Sequence, residues 1–203
     1  MKKVKKILQI TLLLLLSTPA YSYEPSEGNL NAGIAYFLSQ NQLRNTDYKR
    51  TNPTFGGIAL IVEGDLNSKS NLELDLEYFQ KNYVRKINSQ FVSEKTEVLN
   101  VNMGYRYWLF KPMSLGLGLS SLYSIGEPTV LYSELPAGSQ LDTSASSIVK
   151  YGLELSVQFE LFKNDKYTIL LDNRYNYSLS NKDGESADHM TNMLIYKKLI
   201  QTK

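Results

Sequence analysis

The chain has no cysteine, one histidine and only six prolines in its 203 residues. Without cysteine there is no disulfide staple, no thiol nucleophile and no thiolate metal site. A single His excludes a histidine-rich metal cage and leaves one imidazole to serve as a general base. An excess of one charge is missing too. The 22 Lys and Arg stand against 20 Asp and Glu, a net +2 with no basic tail, which argues against a nucleic-acid partner. After the first segment no apolar run approaches the roughly 20 residues of a membrane-spanning helix. Tyrosine, by contrast, is abundant, with 15 copies.

The first segment reads as an export signal. Residues 1–6 (MKKVKK) carry four Lys and no acid, Ile7 to Leu16 is apolar apart from Gln9 and Thr11, and small residues follow at Ser17, Thr18, Ala20 and Ser22. A basic start, a short apolar stretch and small residues at Ala20 and Ser22 predict cleavage before Tyr23. The expected organisation is a signal peptide over 1–22 and one domain over 23–203. The exported chain would then be mildly acidic, because those four Lys leave with the signal.

The rest of the chain carries apolar residues at every second position, the period of a strand. In Leu72–Tyr78, Leu72, Leu74, Leu76 and Tyr78 fall on one face, and Glu73, Asp75 and Glu77 on the other. A helix would scatter those carboxylates around its circumference. The same alternation runs through Leu30–Leu38, Ile58–Leu66, Leu99–Leu109, Met113–Leu119, Val149–Leu161 and Tyr167–Leu179. An eighth segment, Met190–Ile200, has mixed periodicity, and its faces stay unassigned. The connections alternate in length: Gln40–Thr54, Asn67–Ser70, Lys81–Thr96, Lys111–Pro112, Gly126–Ser146, Lys163–Lys166 and Asn181–Asp188 run long, short, long, short, long, short, long. That pattern predicts an antiparallel up-and-down meander, and an even count of eight strands lets the sheet close without edges.

Two closed barrels differ in which side of the wall is apolar. A soluble, exported, lipocalin-like barrel turns that face inward around an apolar ligand. A transmembrane barrel turns it toward lipid and fills its lumen with polar and small residues. The polar face here carries Glu63, Asp65, Glu73, Asp75, Glu77, Arg106, Lys150, Glu154, Glu160, Asp172 and Arg174, with Gly and Ser between them. Tyr36, Tyr78, Tyr105, Tyr107, Tyr123, Tyr151, Tyr167, Tyr175 and Tyr177 lie on or near the apolar face, many near strand ends, as amphipathic rings do at membrane interfaces. The reading is therefore all-β: an eight-stranded antiparallel up-and-down transmembrane β-barrel with a polar lumen. On these strands and connections, residues 28–200 resemble the small eight-stranded outer-membrane barrels, the group of the outer-membrane protein A membrane domain. The resemblance implies a Gram-negative outer membrane, periplasmic termini, contact with lipopolysaccharide and the barrel-assembly machinery, and a monomer without cofactor or metal. One departure is the C-terminus: members of the group often end on an aromatic residue, whereas this chain ends Tyr196–Lys203 with Tyr196 as its last aromatic.

Three sets of residues are candidates for function. Glu73, Asp75, Glu77, Glu154 and Asp172 with Arg106, Lys150 and Arg174 would form an ion-pair network plugging the lumen, since stacked carboxylates repel unless paired. A cation-preferring path along the same carboxylates is the sharper alternative. His189 and Thr191 are the only catalytic candidates. Lipid A deacylases, which share the barrel, place a His and a Ser two residues apart on one side of a strand, and Thr191 stands here where that Ser would be. Finally the long connections carry mixed charge: Asp47, Lys49 and Arg50 in the first, Lys81, Arg85, Lys86 and Lys95 in the second, and Tyr132, Glu134 and Asp142 in the third. Lys81, Arg85 and Lys86 could pair with lipopolysaccharide phosphates or another surface partner. The expected role is envelope structure or surface recognition, without evident catalysis.

Overall fold

The computed structural model of the chain describes residues 26–42, 53–87, 90–136, 139, 143–164 and 167–201. The export segment and the charged residues Asp47, Lys49, Arg50 and Asp142 lie outside these. Ten strands follow in order: β1 (Leu30–Asn41), β2 (Phe55–Asn67), β3 (Ser70–Ile87), β4 (Gln90–Phe110), β5 (Met113–Ser124), β6 (Thr129–Ser133), β7 (Val149–Lys163), β8 (Tyr167–Ser178), β9 (Glu185–Ser186) and β10 (His189–Gln201). Eight of them, all but the short β6 and β9, form an antiparallel meander. It closes because β1 pairs with β2 on one side and with β10 on the other. Closure removes the edge groups that an open sheet would leave unpaired in lipid.

The alternation read in the sequence sets which way each wall faces. Leu72, Leu74, Leu76 and Tyr78 are exposed on the outside, whereas Glu73, Asp75 and Glu77 are buried in the lumen. The same split holds around the barrel: Ile34, Tyr36, Ile58, Leu60, Met103, Leu117, Leu119, Leu155 and Leu194 all point outward and are among the most exposed residues. In water this band would be an untenable apolar surface; in a bilayer it matches its solvent. The short turns hold themselves locally. The Lys69 amide donates to Asn67 Oδ1 at 2.8 Å, and the Tyr167 amide to Asn164 Oδ1 at 2.9 Å.

Three features depart from the sequence reading. First, Lys81–Thr96 is not a loop: β3 and β4 continue as a paired ribbon to Ile87↔Gln90. Outside the barrel β6 adds to β4 through Val92↔Ser133 to Lys95↔Thr129, and β9 adds to β3 through Val84↔Ser186 and Arg85↔Glu185. The result is a small four-stranded sheet standing above the membrane. Gly184, at φ 73°, makes the turn that brings β9 to it, a left-handed conformation glycine adopts without Cβ strain.

Second, the lumen is polar on one side only. Ala35, Phe37, Ala59, Ile61, Phe79, Leu170, Met193 and Ile195 form a buried apolar cluster that lines the inner face around β10, β1 and β2. Third, this explains the last strand. On β10, His189, Thr191, Met193, Ile195 and Lys197 alternate inward, and Met190, Leu194 and Tyr196 face out, so both faces are partly apolar and the hydropathy carries no period of two although the burial does.

Candidate functional site

The inner wall of β3 stacks three carboxylates at every second residue, a geometry that only fixed cations can hold together. Those cations are Arg106 from β4 and Arg174 from β8, each 1% exposed. Arg106 Nε and Nη2 donate to Glu73 at 3.0 and 3.1 Å, and Nη2 also reaches Asp172 Oδ2 at 3.1 Å. Arg174 Nη2 pairs with Glu73 at 3.0 Å and with Asp172 at 2.9 Å. Its Nη1 pairs with Asp75, with Glu154 at 3.1 Å and with Glu77 at 3.4 Å. Asn100 and Asn102 complete the layer by donating to Glu77 at 2.9 Å and to Glu154 at 2.8 Å. Small residues leave room for it: a Cβ on Gly116 would lie 2.2 Å from Ser156 Oγ and 3.5 Å from Arg106 Cζ.

Asp75, Glu77 and Glu154 bring carboxylate oxygens within 4.8 Å of one another, the spacing of a metal site. Arg174 Nη1 donates to all three, so the guanidinium already stands where a cation would. Lys150 does not join the network. It lies higher, donating to Ser124 Oγ at 2.7 Å with its ammonium 4.5 Å from the Tyr83 ring centroid. Toward the end of the barrel that carries the short turns a separate pair appears that the sequence reading did not single out: Lys197 Nζ donates to both oxygens of Glu63 at 2.7 Å, and Asn71 to Glu63 Oε2 at 2.7 Å.

The outer mouth is filled by a cork. The connection after β6 turns inward as a short 3-10 turn, Ser144–Ser146, capped by Thr143, whose hydroxyl accepts from the Ala145 amide at 3.1 Å. Two carboxylates hold it. Thr143 Oγ1 donates to Glu94, and Glu185 takes the Ser144 amide at 2.7 Å together with the Ser144 hydroxyl. Lys182 Nζ adds a bond to the Thr143 carbonyl at 3.1 Å, and Ala145 packs on Tyr83 and Ala187. The cork was not legible beforehand, because Thr143, Ser144 and Ala145 have the composition of an ordinary surface loop.

The candidate surface cations separate. Lys81 is three residues beyond Tyr78, above the apolar band, yet it faces inward beneath the cork and is 2% exposed, so it presents no charge to lipid phosphates. Its Nζ lies 2.8 Å from His189 Nδ1. Burial, aided by the nearby Lys150 ammonium, pushes the Lys81 amine down to about 7. Arg85 donates from Nε to the Asp183 carbonyl at 3.1 Å, and Lys86 is exposed on the opposite face of the ribbon. The three therefore do not form one patch. His189 and Thr191 share the inner face of β10 and are both buried. The imidazole packs against Phe79 with ring centroids 5.5 Å apart and spends Nδ1 on Lys81. Asp188 is committed elsewhere, accepting from Tyr175 Oη and the Ser178 amide, each at 3.0 Å.

No protein-family model matches the chain, and no curated protein matches it in sequence. Solved structures do match in shape. The outer membrane protein OprG from Pseudomonas aeruginosa aligns at TM-score 0.54 and 12% identity, over 88% of this chain and 99% of that one. Ail, the attachment invasion locus protein of Yersinia pestis, aligns at 0.48 and 14%, over 86% and 99%. Neisserial surface protein A aligns at 0.45 and 12%, over 88% and 100%. The fold is that of the small eight-stranded outer-membrane β-barrels.

Proposed function

We propose that this protein sits in a Gram-negative outer membrane as a monomeric closed barrel and acts through its outer face, as a recognition or adhesion surface. The observation that carries the reading is closure at two levels. The Arg106 and Arg174 network fills the mid-lumen and the Thr143–Ser146 cork fills the mouth, so solute passage is disfavoured. What remains available is the sheet of β3, β4, β6 and β9 above the membrane. Its β3 and β4 continue from the barrel wall by unbroken pairing, and it presents Val130, Leu131 and Tyr132 to solvent, with Tyr132 stacked on Phe91 at 5.0 Å. Rigid scaffolds carrying exposed aromatic and apolar side chains are common anchors of protein contacts. Lipopolysaccharide and the barrel-assembly machinery are the further partners this location entails.

The test displays the barrel on cells and measures attachment to surfaces coated with host-cell matrix proteins, beside a Val130→Ser/Leu131→Ser/Tyr132→Ser variant. Loss of attachment with unchanged surface display and unchanged boiling-dependent gel mobility supports the reading. Equal attachment by both refutes it for this sheet.

A further inference from the structure

The ion network of the mid-lumen is short of positive charge. Five carboxylates, Glu73, Asp75, Glu77, Glu154 and Asp172, share the two guanidiniums of Arg106 and Arg174. Lys197 is spent on Glu63, and Lys150 lies above the layer. Asp75 Oδ1, Asn100 Oδ1, Asn102 Oδ1 and Asp172 Oδ1 are buried in the same layer without a hydrogen-bond partner, and all four are acceptors. Anions in excess of cations and acceptors in excess of donors point to one missing kind of group.

One of those acceptors borders a hole. Gly104 and Gly118 face each other across β4 and β5, and Gly116 lies two residues from Gly118 on the same strand. With no side chain at these three positions, a cavity of about 10 Å³ is left, room for one water-sized particle. Its polar lining is Glu73, Asn102, Arg106, Glu154 and Ser156. Asn102 is 1% exposed and aims Oδ1 into this space: a Cβ on Gly118, in the cavity wall, would lie 2.6 Å from that oxygen. The amide is held in this orientation because its Nδ2 donates to Asp75 at 3.2 Å and to Glu154 at 2.8 Å. Exchanging N and O would set an oxygen against both carboxylates. Glu154 accepts its hydrogen bonds from Asn102 and Arg174 on Oε1, which leaves Oε2 as a further acceptor at the cavity.

We infer that this cavity holds one monovalent metal cation of sodium size, with Asn102 Oδ1 and Glu154 Oε2 as ligands and Ser156 Oγ beside them. A water supplies hydrogens to orphaned acceptors but no charge, and uncompensated charge in a low-dielectric lumen is costly. A divalent ion fits less well. Calcium takes roughly six to eight oxygens and magnesium keeps several waters, and a hole for one particle provides neither. Arg106 in the same lining also repels a double charge more than a single one. The cation completes the plug and is held there, not conducted. The site does not depend on the recognition reading, and neither assay reports on the other.

The experiment uses the full barrel folded in liposomes. Urea unfolding is followed by Trp108 fluorescence in sodium chloride or in N-methylglucamine chloride at equal ionic strength, the second cation being too large for the cavity. One ion taken up on folding raises the folded-to-unfolded ratio about tenfold for a tenfold rise in sodium above its dissociation constant, and N-methylglucamine gives no such rise. Glu154→Gln, which keeps the shape and removes a ligand charge, should flatten the sodium dependence. Gly118→Ala, whose Cβ enters the cavity, should do the same while boiling-dependent gel mobility shows the barrel folded. If Gly118→Ala does not fold, Glu154→Gln decides alone. Equal stability of the native chain in the two salts would overturn the site and leave a single water in the cavity. A sodium dependence that Glu154→Gln or a folded Gly118→Ala retains would place the ion elsewhere and overturn it equally.

Discussion

Replacing Arg174 with Gln removes the guanidinium that touches Glu73, Asp75, Glu77, Glu154 and Asp172, while the strand and its outward neighbours stay as they are. Arg106, which pairs with Glu73 and Asp172 only, becomes the remaining guanidinium for the layer. Removing one partner from a buried ion network typically costs about 3–5 kcal/mol, since uncompensated charge is left in low dielectric. The loss at Arg174 falls in the upper part of that range, and the loss at Arg106 is smaller because it takes a guanidinium from two carboxylates rather than five. Urea unfolding and refolding in liposomes, followed by tryptophan fluorescence at Trp108, gives both values. Adding Asp75→Asn and Glu154→Gln to the Arg174 variant should recover part of its loss, because those two carboxylates lose the same guanidinium nitrogen. A cost under about 1 kcal/mol for Arg174→Gln, or a larger cost for Arg106→Gln, would refute this role for the network.

Gly57→Val should cost more than Gly64→Val, because a Cβ at Gly57 meets Phe37 Cζ at 2.3 Å whereas one at Gly64 meets nothing within 4 Å; the same unfolding assay ranks them. Lys81→Met tests the buried amine. The folded chain holds Lys81 near 7 and the unfolded chain holds it at its ordinary 10.5, so between these values the unfolded state binds more protons and the native protein gains stability as pH rises. The stability deficit of the native protein relative to Lys81→Met should thus be greatest below pH 7 and shrink toward pH 10, and a deficit constant over pH 6–10 would contradict it. Glu185→Gln weakens the bonds to Ser144, so limited proteolysis of intact cells should cut near residues 143–146 faster than in the native chain. In planar bilayers the native barrel should show no steady conductance, and a stable open channel would refute closure at two levels.

Much of the barrel was legible because its walls meet two different solvents. In Leu72–Tyr78 each side chain sees either lipid or a charged lumen, so hydropathy and strand period coincide. Where that condition lapses, the pattern lapses with it. On β10 the inward Met193 and Ile195 face other apolar side chains, and both faces look alike. Above the membrane Lys81, Asn82, Tyr83 and Val84 are all buried, and four successive buried residues erase a period of two. The ion network was readable as composition: stacked acids in a lumen demand arginines, and Arg106 and Arg174 were at hand. Lys150 was misplaced because alternation fixes the face of a residue but not its height along the axis. Lys81 looked like a surface charge because nothing local reveals that residues 143–146, some sixty positions later, cover it.

Which face of the wall meets lipid decides between a membrane-spanning and a soluble barrel, and the absence of cysteine makes that measurable against a clean background. Single cysteines at Leu74, Leu117 and Leu155, and at Asp75, Asn102 and Gln158, carry nitroxide labels in barrels reconstituted into bilayers. Collision with oxygen, which concentrates in lipid, is compared with collision with a water-soluble nickel chelate. High oxygen and low nickel accessibility are expected at the three leucine positions, and low accessibility to both at the three lumen positions. Oxygen-poor leucine positions sheltered from both reagents would mean that the apolar face lines an interior, and would contradict the membrane-spanning barrel.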